Sequence, residues 1–321
     1  MKTIHFGLVA LAASLSWLMP ARAADRTEIT FPGDHAYPES ITATSDGTIY
    51  AGSLYEGGIF RVPPGAATAE RWIKPGANDS MTTLGVFADE RSGTLWVCSS
   101  NLGAFGVPPP GGEKPVALKA FDLKSGARKG SWPLPGGKSL CNDMVVGADG
   151  AVYVADSFQP HILKLPPGGS ALEVWASDPR FGGEGPCLDG ITIGQDGNLY
   201  ANTYSTGRLF RVEMGQGGKA GQIAQLKTTP GFEHPDGMRA YGRNGLLVVE
   251  GADAGRFDII TLSGDNAEVK TVRGGFKQPV SVWQIGNTAW VLEGQLATLF
   301  DPPEKRGKPG PFRAYAVPLP E

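Results

Sequence analysis

The chain has 321 residues, 46 of them Gly and 26 Pro, and a formal net charge of −3. Gly and Pro are avoided in helix interiors, which excludes a helix-rich architecture, and a hydrophobic content of 41% excludes intrinsic disorder. Three cysteines exclude a disulfide scaffold, and the absence of a basic stripe excludes a nucleic-acid binder.

The first segment reads as a signal peptide rather than as fold. Lys2 supplies the positive start, residues 6–18 an apolar stretch, and Ala21-Arg22-Ala23 a small-x-small cleavage site. An apolar run of about 13 residues is shorter than the ~20 needed to cross a bilayer. Cleavage after Ala23 is therefore expected, leaving residues 24–321 without a membrane span, periplasmic or secreted.

A repeat fills the remainder. Segments 39–51, 84–97, 142–154, 189–201, 236–249 and 280–292 each read as strand, turn, strand. Their turns fall at Asp46-Gly47, Ser92-Gly93, Asp149-Gly150, Asp196-Gly197, Asn244-Gly245 and Gly286-Asn287, where Gly, Asn and Asp tolerate the positive φ of tight hairpins. A third strand follows at 58–62, 161–165, 208–212 and 257–262, and a fourth stretch at 173–176. The repeats start 45, 58, 47, 47 and 44 residues apart, the long interval holding a Pro/Gly-rich insert around 103–115. Four strands per unit of this length predict an all-β fold, a six-bladed β-propeller spanning 24–321 as one domain. Residues 27–31 are expected to supply the last blade's outer strand and close the ring, which removes exposed sheet edges.

The residue opening each repeat points into one mouth of the channel in such a fold. These residues are Glu39, Leu84, Asn142, Asp189, Asp236 and Val280. Three carboxylates and one amide at one level call for a cation or raised pKa values. Oxygen ligands without His or Cys favour calcium, with magnesium, manganese or zinc as alternatives. Each residue also has a turn-forming reading, Pro-Asp-Gly being a common turn tripeptide; the metal reading rests on four repeats agreeing.

Tyr37-Pro38-Glu39-Ser40, Leu140-Cys141-Asn142-Asp143, Leu188-Asp189-Gly190 and His234-Pro235-Asp236-Gly237-Met238 resemble the metal-site motifs of the gluconolactonase/regucalcin (senescence marker protein type) family. The resemblance implies a propeller that hydrolyses lactones with one divalent ion. It implies Glu39, Asp189 and Asp236 as ligands, and Asn142 beside the ion or holding substrate. Two positions depart from that pattern: Asp189 stands where the family usually has Asn, and Leu140 where its sugar lactonases often place Arg. Asp236 is the expected base or nucleophile, acting on a small lactone or ester in a monomer. The alternative is a non-catalytic ligand- or protein-binding propeller with a structural ion. A quinone-cofactor dehydrogenase is disfavoured, because the ring lacks His and Arg.

Weaker signals read as structural. His161 and His234 are strand and turn residues, Glu250 and Glu293 are paired or solvated, and the 215–221 loop has no dinucleotide-binding context. Cys141 and Cys187 both precede channel residues of adjacent blades, a placement compatible with a disulfide that leaves Cys98 unpaired.

Overall fold

The computed structural model describes residues 26–103, 112, 114–251 and 255–320. The signal-peptide segment and part of the 103–115 insert lie outside the described residues.

Each repeat forms a four-stranded antiparallel meander. The first runs through Pro38–Ala43, Ile49–Ser53, Ile59–Val62 and Glu70–Ile73. The second comprises Thr82–Asp89, Thr94–Ser100, Ala117–Asp122 and Arg128–Pro133. The third is Cys141–Val146, Val152–Asp156, His161–Leu165 and Glu173–Ser177. The fourth is Leu188–Ile193, Leu199–Thr203, Arg208–Met214 and Ala220–Thr229. The fifth, Pro235–Tyr241, Gly245–Glu250, Arg256–Ser263 and Asn266–Arg273, joins the fourth by parallel pairing of Lys227–Thr229 with Asn266–Glu268.

The last meander combines both ends of the described chain. Pro279–Ile285, Thr288–Glu293 and Phe312–Pro318 are completed by Glu28–Phe31, which pairs antiparallel with Phe312–Tyr315. The expected closing strand is thus in place. The first strands lie against one another in a cycle, Pro279–Ile285 returning to Pro38–Ala43, so the fold is a closed β-propeller.

Burial falls from the axis outward. Pro38–Ala43 is buried at every position, whereas Glu70–Ile73 and Arg128–Pro133 are mostly half-buried or exposed. Between neighbouring sheets lie apolar layers such as Phe31, Phe60, Leu292 and Phe312, or Tyr153, Phe181, Leu188 and Phe210. Burial of each large side chain removes roughly 1.5–3 kcal/mol of apolar exposure.

Five of the six expected turns carry a left-handed glycine at the predicted place: Gly47, Gly93, Gly150, Gly197 and Gly286. In the fifth repeat the left-handed residue is Gly242 (φ +55°) rather than the Asn244-Gly245 pair. Tyr241 pairs with Gly245, which makes a three-residue turn, and Asn244 binds Leu262 through both backbone and side chain.

The disulfide expectation needs correction. Cys98 bonds to Cys141 across the second and third sheets, with Cα atoms 5.1 Å apart. Cys98 lies on a second strand that faces the inner strand bearing Cys141, whereas Cys187 is a buried free thiol turned toward the Gly185 carbonyl at 3.7 Å.

Candidate functional site

All six channel residues occupy the same structural position. In every inner strand the ladder slips just where that residue stands: between Pro38 and Ile41, Thr83 and Val86, Cys141 and Met144, Leu188 and Ile191, Pro235 and Met238, and Pro279 and Ser281. A β-bulge leaves its extra residue unpaired and re-aims its side chain. Here it turns Glu39, Asn142, Asp189 and Asp236 toward the axis. Two residues upstream, a carbonyl clamps each of these four bulges: Tyr37, Leu140, Cys187 and His234 accept from Leu54, Ser157, Tyr204 and Gly251 respectively.

The residue after the bulge permits close approach. A Cβ on Gly190 would stand 2.4 Å from the Asp236 carbonyl oxygen, and one on Gly237 would stand 2.8 Å from Ser281 Cα. Only glycine lets neighbouring inner strands pack this tightly. Asp-Gly at these places therefore serves strand packing, not a turn. Strain collects at the same level. Tyr37, His234 and Gln278 have φ of +33°, +53° and +50°, and each precedes a proline that opens an inner strand.

The four oxygen-bearing residues are 5–7% exposed. Asn142 donates both amide hydrogens, to Ser157 Oγ and to Asp189 Oδ2, each at 2.9 Å, which leaves its carbonyl oxygen as an acceptor. Asp236 Oδ1 accepts from the Gly237 amide at 2.9 Å. The Asp189 and Asp236 carboxyls stand within hydrogen-bonding reach of each other. Burial, then the Asp189 and Glu39 charges, raise Asp236 well above the ordinary carboxylate range. Burial, then Asp189 and Asp143, raise Glu39 likewise, and burial followed by Asp143 pushes Asp189 up to about 7.

Asp143 and Arg239 form a buried bidentate pair across non-adjacent sheets, 2.6 and 3.2 Å, with the Arg239 guanidinium over Trp283. Arg239 thus already has its carboxylate. Among the described residues no Lys or Arg hydrogen-bonds Glu39, Asp189 or Asp236. The donor set, four hard oxygens with excess negative charge, suits a hard divalent cation. Among the described residues, however, no three Asp, Glu, His or Cys side chains form a ready-made ligand sphere. Asp189 and Asp236 face each other and Asn142 points its amide at Asp189, so a cation would require these contacts to open.

The four residues form the floor of a cavity of about 460 Å³. Its wall includes Leu54, Leu84, Leu102, Leu140, Phe158 and Tyr204, with Phe300 from a short α-helix, Ala297–Phe300, and Leu296 just before it. Burial, then the Asp236 and Asp189 charges, raise the Tyr204 hydroxyl pKa. Behind the floor is a chamber of about 10 Å³, reached by the same four side chains and by Asp143. A volume of that order holds about one water-sized sphere.

The channel residues of the second and last sheets are apolar: Leu84 lines the cavity and Val280 the chamber behind its floor. His234 is exposed and packs at a tilt against Tyr204 with centroids 5.0 Å apart, and His161 faces Asp156 at 3.7 Å. Glu250 and Glu293 are held by backbone amides and line neither space. Sequence reasoning missed the Asp143–Arg239 pair and most of the wall. The repeat register carries a signal for part of the wall: Leu54 and Tyr204 each stand one place beyond a second strand.

Neither a scan of protein-family models nor a search of curated proteins returns a match. Solved structures do match in fold. A gluconolactonase from Xanthomonas campestris is 15% identical at TM-score 0.61, covering 94% of this chain and 92% of its own. The PQQ-bound aldose sugar dehydrogenase of Streptomyces coelicolor is 16% identical at 0.61, covering 91% and 97%. Virginiamycin B lyase from Staphylococcus aureus, bound to quinupristin, is 17% identical at 0.59, covering 81% and 78%. These likenesses show the propeller fold.

Proposed function

We propose that the chain is an exported six-bladed propeller, residues 24–321 after removal of a signal peptide, that hydrolyses lactones or related esters with one divalent cation, calcium first. The observation that carries this reading is the floor itself: three buried carboxylates and an amide from four different meanders, without a basic partner, at the base of an open cavity. The fold alone does not decide the chemistry, since its neighbours include a lyase and a dehydrogenase. The site favours the lactonase reading over the dehydrogenase one, because among the described residues no His, Lys or Arg lines the cavity. Export is supported by the Cys98–Cys141 disulfide, which fits an oxidising compartment, and no helix among the described residues is long and apolar enough to cross a membrane.

Glu39, Asp189, Asp236 and the Asn142 carbonyl would hold the cation. When bound, it supplies positive charge that keeps these carboxylates ionised and polarises an ester carbonyl. Asp236 is the base. It takes a proton from water as the hydroxyl adds to the carbonyl carbon, and the acyl C–O bond breaks with the proton passing to the departing oxygen, giving a hydroxy acid. Direct attack by Asp236 is the alternative role for the same residue. Asn142 orients the substrate or completes the cation's ligands, its amide fixed by Ser157.

The test is a panel of lactones, aryl esters and phosphotriesters assayed with and without chelator. Lactone turnover is expected to fall at least about 100-fold on chelation and to return with calcium. No turnover of any member overturns the reading and leaves a binding propeller, and turnover indifferent to chelation overturns it by leaving a hydrolase that needs no cation.

A further inference from the structure

The cavity wall defines a substrate class, and this inference rests on the hydrolase reading above. Three of the four meanders that contribute an acid or amide to the floor also contribute to the wall, through Leu54, through Leu140 and Phe158, and through Pro186 and Tyr204, and most of those side chains are apolar. Leu54, Leu84 and Leu140 are buried at its base, whereas Phe300 at its rim is 50% exposed, one of the two large hydrophobic side chains so exposed among the described residues. The polar side chains of the wall are Tyr204, Gln278 and Asp301, and the Gln278 amide oxygen already accepts from the Ala297 backbone.

A polyhydroxylated sugar lactone would lose water at each hydroxyl and find few partners, which weakens binding by roughly tenfold for every hydroxyl left unpaired. An alkyl or aryl substituent meets the opposite situation, because each buried methylene strengthens binding about fourfold. A volume of about 460 Å³ lies in the range that encloses most of a small organic ligand. The excess negative charge of the floor disfavours an anionic substrate.

We infer that the substrate is a neutral lactone bearing an apolar substituent, which lies against the Leu54–Leu84–Leu140 wall and under Phe300 while its ester group meets the acidic floor. A series of δ-lactones substituted at the ring carbon beside the oxygen, from methyl to hexyl, tests this beside glucono-δ-lactone, all in the presence of calcium. The expected result is a kcat/KM that rises about threefold per methylene, with glucono-δ-lactone at least 100-fold below the hexyl compound. Phe300→Ser, at an exposed position that leaves the sheets untouched, is expected to lower the hexyl-to-methyl ratio at least threefold. Preference for glucono-δ-lactone, or a flat chain-length profile, overturns the inference.

Failure of the hydrolase reading is read separately. The matching 2-alkyltetrahydropyrans have no bond to hydrolyse, so calorimetric titration with them measures the cavity alone. If no lactone turns over but affinity for these ethers climbs with chain length and falls in Phe300→Ser, the apolar selectivity stands without the chemistry. If affinity is also flat, both fall.

Discussion

Two of the places where the molecule buries carboxylates treat them differently. In the fifth sheet, Glu250 and Asp258 are 1% and 0% exposed. Glu250 accepts from Arg256 at 3.1 Å and from the Glu233 amide, and the pair borders neither the channel cavity nor the chamber behind its floor. At the axis, Glu39, Asp189 and Asp236 are buried to a similar degree, but their nearest guanidinium is committed to Asp143 and their cavity is open. Burial raises pKa values in both places, so a perturbed carboxyl alone does not identify a site. The distinguishing features are access and the lack of a dedicated cation.

The sharpest way to break this comparison is to neutralise one acid from each group. Asp236→Ala is expected to lower lactone kcat/KM by at least about 10³-fold, in the range of a lost general base. Asp236→Asn should lose turnover similarly while calorimetry still detects calcium. Glu250→Gln should remain within about threefold of the parent in kcat/KM. Equal losses at the two positions would mean that the axial cluster has no special standing.

A smaller effect separates the groups without any substrate. Calcium at 100 times its Kd contributes about 2.7 kcal/mol to stability, which corresponds to a rise in Tm of roughly 4 °C in a chain of this size. The rise should survive Glu250→Gln and vanish in Asp189→Ala. A calcium-induced shift that persists in Asp189→Ala would move the cation elsewhere.

Much of this contrast was legible in the sequence, and the illegible part has a physical cause. Repeat spacing placed Glu39, Asn142, Asp189 and Asp236 at equivalent positions, because a propeller gives every unit the same frame around one axis. The closing strand was legible for the same reason: Glu28–Phe31 is the strand that the last three lack. Asp-Gly was ambiguous, since a turn glycine and a glycine that admits a neighbouring strand read alike; Gly190 and Gly237 are of the second kind. The Cys98–Cys141 bond was misread because strand-to-strand distance between sheets depends on which strands face each other, and sequence position relative to the repeat start does not reveal that. Asp143–Arg239 spans 96 residues and two sheets, so no local pattern announces it.

A last effect, spread over several pH units, falls on the peripheral pair alone. Burial, then the neighbouring Asp258 carboxyl, push Glu250 up to about 7 in the folded protein, against an ordinary value near 4.3 unfolded. A carboxyl whose folded pKa is raised contributes stability that is complete below the unfolded value and is lost as pH rises through the folded one. The parent should therefore lose stability relative to Glu250→Gln between about pH 4.5 and pH 7.5, by an amount on the order of 2–3 kcal/mol. Urea unfolding of both proteins across that window, with calcium held constant, measures the difference. Because the amide in Glu250→Gln cannot ionise, the two curves should converge at the acid end and separate toward neutrality. Parallel curves would show that Arg256 compensates the Glu250 charge fully, and Glu250–Arg256 would then be an ordinary ion pair.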